Sequence, residues 1–171
     1  GNNNAYCQDN ELSWLDWNIS PANQDFYEFV RKVIRIRKEN PVFQRRKFFL
    51  GAASKSTPIK DVIWYNAKGS EMTEKDWQNP NLLWIGALLN GGAIDEMDEK
   101  GNPISGDTFL ILLNGSPRPV AFQLPGITPN ASWELVLDTT EEQEEGASFK
   151  AGDTYRLFGR SLSLLRLKQP A

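Results

Sequence analysis

From residue 43 onward the chain consists of short apolar runs separated by turn-forming residues, and this pattern restricts the possible folds more than any other feature. The runs are rich in β-branched, aromatic and leucine residues, and turns such as Asn90-Gly91-Gly92 separate them. Short strands at this spacing are typical of antiparallel sandwiches and barrels. We therefore predict a mainly β fold, an antiparallel β-sandwich of about eight strands. The predicted strands are Lys47–Leu50, Asp61–Tyr65, Leu82–Leu89, Thr108–Leu113, Pro119–Phe122, Trp133–Leu137, Tyr155–Phe158 and Ser161–Leu167.

Further local patterns refine this prediction. Phe109–Leu113 is apolar throughout and so indicates a central strand, whereas Ser161–Leu167 alternates in part and indicates one face turned toward water. Thr73–Trp77 has the sequence of a capped helical turn, with Thr73 as the cap and Asp76 reaching back to it. The acidic clusters Asp95–Lys100 and Glu141–Glu145 lack the order of a calcium loop, so we interpret both as solvated loops.

One long helix is predicted before the strands, over Pro21–Asn40. Ser20 is a suitable N-cap and Pro21 suits the first helical position. Pro41 disfavours a helical conformation at Asn40 and so ends the helix. Apolar residues recur on one face of this helix, the pattern of a buried stripe, at Phe26, Phe29, Val30, Val33 and Ile34.

The first seventeen residues, GNNNAYCQDNELSWLDW, have an unusual composition. Asparagine amides both donate and accept hydrogen bonds, and flat aromatic rings suit the apolar face of a sugar. The alternative is that the asparagines form ordinary turns and the aromatic side chains pack in a core. Composition alone favours the alternative.

This stretch is similar to the segment after the eighth barrel strand in glycogen debranching enzymes of the glycogen-operon and isoamylase type, which are alpha-amylase-type glycoside hydrolases. The similarity continues in IRIRKENPVFQRRKFF (Ile34–Phe49), DVIWYNAKGSEMTEKDW (Asp61–Trp77) and RSLSLL (Arg160–Leu165). The resemblance implies that the chain is the tail of a longer enzyme. Residues 1–42 would be the last loop and helix of its catalytic (β/α)8 barrel, and residues 43–171 its C-terminal sandwich.

The resemblance also implies where the chemistry lies. Glycoside hydrolysis needs two carboxyl groups flanking the scissile bond. In the resembled family the catalytic carboxylates follow earlier barrel strands, upstream of anything in this chain. The family's barrel also carries substrate-binding histidines, and this chain contains none. We therefore expect no catalytic residue here, and no hydrolytic activity of the chain in isolation.

Binding remains possible, because sites in barrel enzymes form on the loops after the strands. By resemblance the candidates for contacting a branched α-glucan are Asn3, Asn4, Tyr6, Asp9, Asn10 and Trp14. The alternative is that these residues only brace the loop. Trp64, Trp77, Trp84 and Trp133 would form a starch-binding row if they were exposed together, but their positions in strands and a capped turn favour core packing.

Composition excludes several other functions. Without histidine, and with Cys7 as the single cysteine, the chain has neither a histidine-dependent triad nor the usual zinc ligands. A net charge of -3 argues against a nucleic-acid partner, and no apolar run reaches the about 18 residues of a membrane span. We expect no metal, no cofactor and a cytoplasmic location. The predicted function is that of the C-terminal portion of an enzyme hydrolysing α-1,6 branches in glycogen or limit dextrins; the alternatives are a stand-alone carbohydrate-binding module and a purely structural β-domain.

Overall fold

The computed structural model describes residues 6–14, 17–53 and 58–169. Contacts divide the chain into two compact units, Gly1–Glu39 and Asn40–Ala171. We refer to them as the N-terminal unit and the sandwich unit.

The N-terminal unit contains one long helix, α1, over Pro21–Glu39. The Asn23 backbone N–H donates to Ser20 Oγ at 3.3 Å, so Ser20 caps the helix as predicted. The predicted apolar stripe is present but is largely open to solvent: Phe26 is 67% exposed and Ile34 is 48% exposed. The sequence pattern therefore predicted the helix correctly, although its apolar side chains are not buried.

The sandwich unit contains eight strands within the residues that the structure describes, and the predicted antiparallel sandwich is confirmed. A six-stranded sheet has the order β1-β2-β3-β8-β5-β6, and β4 pairs with β7 in a separate two-stranded sheet. A 3-10 turn, Pro41–Phe43, precedes the first strand, and a short helix, α2 (Glu74–Trp77), and a second 3-10 turn, Gly91–Ala93, lie between strands. The strands are β1 (Val62–Tyr65), β2 (Trp84–Leu89), β3 (Phe109–Asn114), β4 (Val120–Gln123), β5 (Ser132–Asp138), β6 (Ser148–Lys150), β7 (Thr154–Leu157) and β8 (Ser161–Lys168).

The hydrophobic core is formed by inward-facing residues of both sheets. Successive side chains on a strand point to opposite faces, so each strand contributes every second residue. Trp133 on β5 is completely buried, and its indole Nε1 donates to the Pro125 carbonyl oxygen at 3.0 Å. The other core residues are Tyr65, Leu88, Leu110, Leu112, Phe122, Leu124, Leu135, Tyr155, Leu157 and Leu165.

One predicted strand is absent, and one observed strand was not predicted. Lys47–Leu50 is not a strand, because the Leu50 and Gly51 amides donate to the Asp61 carboxylate instead of a neighbouring strand. β6 (Ser148–Lys150) was missed, since three residues at the edge of a sheet give too short a pattern.

The interpretation of β8 also needs correction. Its serines do not face water: Ser163 is 1% exposed and accepts a hydrogen bond from Tyr155 Oη at 3.0 Å, and Ser161 Oγ donates to the Phe158 carbonyl. The buried face of this strand therefore contains small polar side chains whose hydrogen bonds are satisfied inside the sandwich.

The prediction of a solvated loop at Asp95–Lys100 is wrong for Glu96, which is buried and bonded to Arg46 and Lys47, whereas the central strand and the capped turn were predicted correctly. β3 lies between β2 and β8 near the middle of the large sheet. Thr73 caps α2 in a reciprocal capping box with Asp76.

Candidate functional site

The loop Tyr6–Trp14 contains a compact set of hydrogen bonds among the predicted binding residues. Asp9 Oδ1 accepts from the indole Nε1 of Trp14 at 2.7 Å, which fixes the direction of the ring. Asn10 Oδ1 accepts from the Leu12 amide at 3.0 Å, the pattern of an Asx turn. The Asn10 carbonyl accepts from the amides of Ser13 and Trp14, at 2.9 and 3.0 Å. The structure thus brings Asp9, Asn10 and Trp14 together in one turn.

The aromatic side chains of this loop are presented to solvent. Trp14 is 63% exposed and Tyr6 is 79% exposed. Tyr6 and its neighbour Cys7 adopt left-handed backbone conformations, with φ of 47° and 57°. An exposed ring held by a carboxylate is suited to stacking on a sugar, while the remaining polar groups of the loop are available for hydroxyls.

Two of the six predicted binding residues, Asn3 and Asn4, lie outside the described residues. In the described part of the loop, some of the candidates brace the loop and others are open to a ligand. Asp9 and Asn10 brace the turn through their side chains. Tyr6 and Trp14 have open surfaces that a ligand can contact.

In the sandwich unit, two buried carboxylates hold the segment Arg45–Gly51. Asp61 accepts from the amides of Leu50 and Gly51, at 3.0 and 2.9 Å, and its Oδ2 lies 3.0 Å from Arg45 Nη1. Sequence analysis missed this cluster because its partners are separated by ten residues or more and match no known motif.

Glu96 holds the same segment from a second position. Its carboxylate accepts from the amides of Arg46 and Lys47, at 2.8 and 3.1 Å, and from Arg46 Nε at 3.0 Å. A cavity of about 590 Å³ lies beside it, lined in part by Arg46, Met97 and Ile104. Because these protein donors already engage the carboxylate, Glu96 serves to attach the segment to the sandwich.

The pKa values of these two groups argue against a role as the general acid of a glycosidase. Burial pushes the pKa of Asp61 upward, but hydrogen bonds from the Leu50 and Gly51 amides and the positive charge of Arg45 outweigh it, so the pKa lies below its usual value. The Lys47 amide, followed by Arg46, lowers the pKa of Glu96 in spite of burial. A glycosidase needs one carboxylic acid with a raised pKa as proton donor. Asp61 and Glu96 are instead held in their charged forms.

The predicted core packing of the tryptophans holds for Trp133 but fails for Trp64 and Trp77. Trp64 is 40% exposed and Trp77 is 51% exposed, and their rings meet edge to face with centroids 5.8 Å apart and planes at 77°. Trp84 is half-buried. The two exposed rings are not coplanar, so they do not form the flat row of aromatics that would suit a stack of sugars.

The part of the chain that the structure describes contains neither a cluster of metal ligands nor a membrane-spanning helix. There, no group of three or more His, Cys, Asp or Glu side chains is placed to hold a metal ion. None of the helices described is long and apolar enough to cross a bilayer.

Comparison with known families bears on the sandwich directly. The profile described as "Isoamylase, C-terminal" matches residues 61–166, from the start of β1 into β8. The chain belongs to the isoamylase C-terminal family. The family match therefore includes β1 to β7 and most of β8, and the resemblance noted from the sequence is confirmed.

Individual relatives extend the similarity to the N-terminal unit. A protein named glycogen operon protein GlgX homolog, from Mycobacterium tuberculosis, is 38% identical over 97% of this chain and 23% of its own length. An isoamylase from Pseudomonas amyloderamosa is 25% identical over 96% of this chain and 20% of its own. A glycogen debranching enzyme from Dickeya chrysanthemi is 32% identical over 73% of this chain and 15% of its own. The chain thus spans less than a quarter of the length of these relatives.

Proposed function

We propose that this chain is the C-terminal portion of a glycogen debranching enzyme that hydrolyses α-1,6-glucosidic branches in glycogen or limit dextrins. The observation that carries the proposal is the 38% identity over 97% of the chain to a relative named for the glycogen operon. The family match over the sandwich adds independent support. The partner is a branched α-glucan, bound through the whole enzyme in the cytoplasm.

The two units have different roles in this proposal. Residues 1–42 supply the last loop and helix of the catalytic barrel, and residues 43–171 form the C-terminal sandwich that stabilises it. The exposed apolar stripe of α1 supports the first assignment, since a barrel helix buries such a stripe against its neighbours. The Asp61 and Glu96 carboxylates support a structural role for the sandwich, because both act as fixed acceptors for backbone amides.

The loop Tyr6–Trp14 forms part of the glucan groove in this proposal. The Asp9–Trp14 hydrogen bond supports this role, because it fixes an exposed ring in one orientation before the ligand arrives. Asn3, Asn4, Tyr6 and Asn10 are assigned to the same groove from their positions in the sequence.

A chimera tests the proposal. In it, this chain replaces the corresponding C-terminal part of the Mycobacterium tuberculosis relative, and debranching of a limit dextrin is measured by release of reducing ends. We expect an active chimera whose activity falls at least tenfold on Trp14→Ala. Trp17→Ala is the matched control, since Trp17 is 80% exposed and lies three residues beyond Trp14.

Two results would count against the proposal. A chimera that folds but releases no more reducing ends than the truncated relative contradicts the assignment to a debranching enzyme. Equal activity of the Trp14→Ala and parent chimeras contradicts the role of the loop.

A further inference from the structure

Trp64 and Trp77 form an exposed pair of rings on the sandwich unit, which we call the tryptophan corner. Trp64 lies on β1, on the opposite side of the sheet from its core neighbour Tyr65, and Trp77 is the last residue of α2. The rings meet nearly at right angles, with centroids 5.8 Å apart, and each keeps 40% or more of its residue surface open. Two exposed tryptophan rings in contact form a contiguous apolar patch, and such patches mark interaction sites more often than scattered single residues do.

The corner is held rigidly by short-range hydrogen bonds. The Met72 amide donates to the Trp64 carbonyl at 2.8 Å, which fixes the start of the α2 segment against β1. Thr73 and Asp76 then exchange hydrogen bonds in the capping box, and the Trp77 amide donates to the Thr73 carbonyl at 3.1 Å. Both rings are therefore attached to a hydrogen-bonded backbone, so little backbone entropy is lost when a ligand binds.

The surroundings of the corner suit a neutral, hydroxyl-rich ligand. Gln78 and Asn79 follow Trp77 directly, and both are exposed, as is Asn81. Amide side chains donate and accept at once, as sugar hydroxyls do. Beside β1, Lys60 and Glu71 form an ion pair, so their opposite charges compensate each other. The helix α2 carries charges of both signs, Glu74 and Asp76 beside Lys75, so the corner has no cluster of one sign to attract a strongly charged ligand.

The residue opposite Trp64 on the neighbouring strand is small and buried. Trp64 pairs with Ala87 on β2, which is 5% exposed, so the open surface at this point of the sheet belongs to the Trp64 ring. Two tryptophan rings at right angles present one flat face and one edge to a ligand. One or two sugar rings can contact such a pair. This contact does not require the coplanar row of a long stacked chain.

We propose that the tryptophan corner is a second binding site for an α-glucan chain, on a different unit from the Tyr6–Trp14 loop. The apolar face of a glucose ring stacks on an exposed indole, and its hydroxyls reach the amides of Gln78 and Asn79. The choice of α-glucan as the ligand rests on the function proposed above. A weak site is sufficient, because a polymer that repeats the same sugar rebinds at high local concentration.

The test is electrophoresis of the 171-residue chain in native gels with and without glycogen. We expect glycogen to retard the chain, and Trp77→Ala to weaken the apparent affinity at least tenfold. Trp77→Phe keeps a ring and should restore part of the retardation. Phe48→Ala is the matched control, since Phe48 is an exposed aromatic residue of the same unit, 93% exposed, outside the corner.

Thermal unfolding of each variant shows whether a loss of retardation comes from the substituted side chain or from unfolding of the chain. Trp77→Ala should remain folded because α2 has only four residues and buries none of them. Trp64→Ala is a second variant of the corner. Where its thermal transition shows that it is folded, glycogen should retard it as weakly as it retards Trp77→Ala.

Several outcomes would overturn the inference. These are no retardation of the parent chain, equal retardation of the parent and Trp77→Ala chains, or loss of retardation in Phe48→Ala as large as in Trp77→Ala. The gel also separates this site from the function proposed above. Loss on Trp14→Ala alone assigns glycogen binding to the loop and contradicts the corner, whereas an inactive chimera with intact retardation contradicts the debranching function and leaves the corner in place.

Discussion

Arg45 and Asp61 form a buried ion pair, with Arg45 Nη1 3.0 Å from Asp61 Oδ2 and side chains only 5% and 8% exposed. The Arg45 guanidinium also lies over the Phe49 ring, 4.3 Å from its centroid. The pair joins the segment before β1 to the first residue of the family match. Removing one partner leaves the other charge buried without compensation, which is usually far more destabilising than losing an exposed pair.

We therefore expect Asp61→Asn to lower the free energy of unfolding by about 3–5 kcal/mol. Urea unfolding followed by fluorescence measures the change. Glu71→Gln is the control, because it breaks the exposed ion pair with Lys60 and should cost at most about 1 kcal/mol. Equal effects of the two substitutions would show that burial of the Arg45–Asp61 pair has no energetic consequence.

Glu96 makes stability depend on pH. Its pKa in the folded protein lies below the ordinary value of 4.5, chiefly because the Lys47 amide and Arg46 stabilise the carboxylate. The folded state therefore binds this proton less readily than the unfolded state. The stabilisation is complete above pH about 4.5 and is lost as the pH falls through that value and through the folded pKa.

The variant Glu96→Gln isolates this contribution. We expect the parent chain to exceed the variant in stability at pH 7, and the difference to shrink between pH 5 and pH 3. Urea midpoints at each pH measure it. A difference that stays constant over this range would mean that Glu96 titrates alike in the folded and unfolded chains.

Trp133 is the largest fully buried side chain of the core, and its replacement tests the packing of the sandwich. We expect Trp133→Ala to cost about 3–5 kcal/mol through lost contacts and the cavity left behind. Trp133→Phe keeps most of the volume but leaves the Pro125 carbonyl without its indole donor, so it should cost about 1–3 kcal/mol. Denaturant unfolding gives both values, and a larger loss for Phe than for Ala would contradict this account.

Helix α1 should be less stable than the sandwich in the 171-residue chain. Isolated helices depend on tertiary packing, and Phe26 and Ile34 on α1 are 67% and 48% exposed. Hydrogen exchange should be fast across Pro21–Glu39 and slow in β3 and β8. Protection of α1 equal to that of β3 in a dilute monomer would show that its apolar stripe is covered after all.

The chain by itself should hydrolyse no glucan. It lacks histidine, and the buried carboxylates Asp61 and Glu96 are held in their charged forms by the hydrogen bonds described above. Incubation with a branched glucan should release no reducing ends above background. Steady release that disappears on replacing one of the chain's own carboxylates would contradict this expectation.

The positions of most strands follow from the sequence because the apolar runs and turns are local. A continuous apolar run made β3 recognisable as a central strand, and Ser20 and Pro21 fixed the start of α1. Lys47–Leu50 has the same local character as a strand, yet its amides are taken by the distant carboxylates of Asp61 and Glu96. Such long-range partners leave no pattern in a short window of sequence.

In the candidate site, too, the sequence predicted which residues are neighbours but not the contacts between them. The sequence placed Asp9, Asn10 and Trp14 in one polar and aromatic loop, but only the structure shows Asp9 bonded to the Trp14 indole. Short spacing brought these residues near each other, whereas the rotamers that join them depend on the folded turn.

Trp64 and Trp133 show most clearly what the sequence determined and what the tertiary structure determined. The sequence determined that both tryptophans lie in strands of the same sandwich, since both are in apolar runs between turns. It did not determine which face of the sheet each one occupies. β4 and β7 cover only one face of the six-stranded sheet, and that arrangement buries Trp133 completely while Trp64 remains at the surface beside Trp77. Burial depends on which strands come together in space, and pairing between distant strands is a property of the tertiary structure.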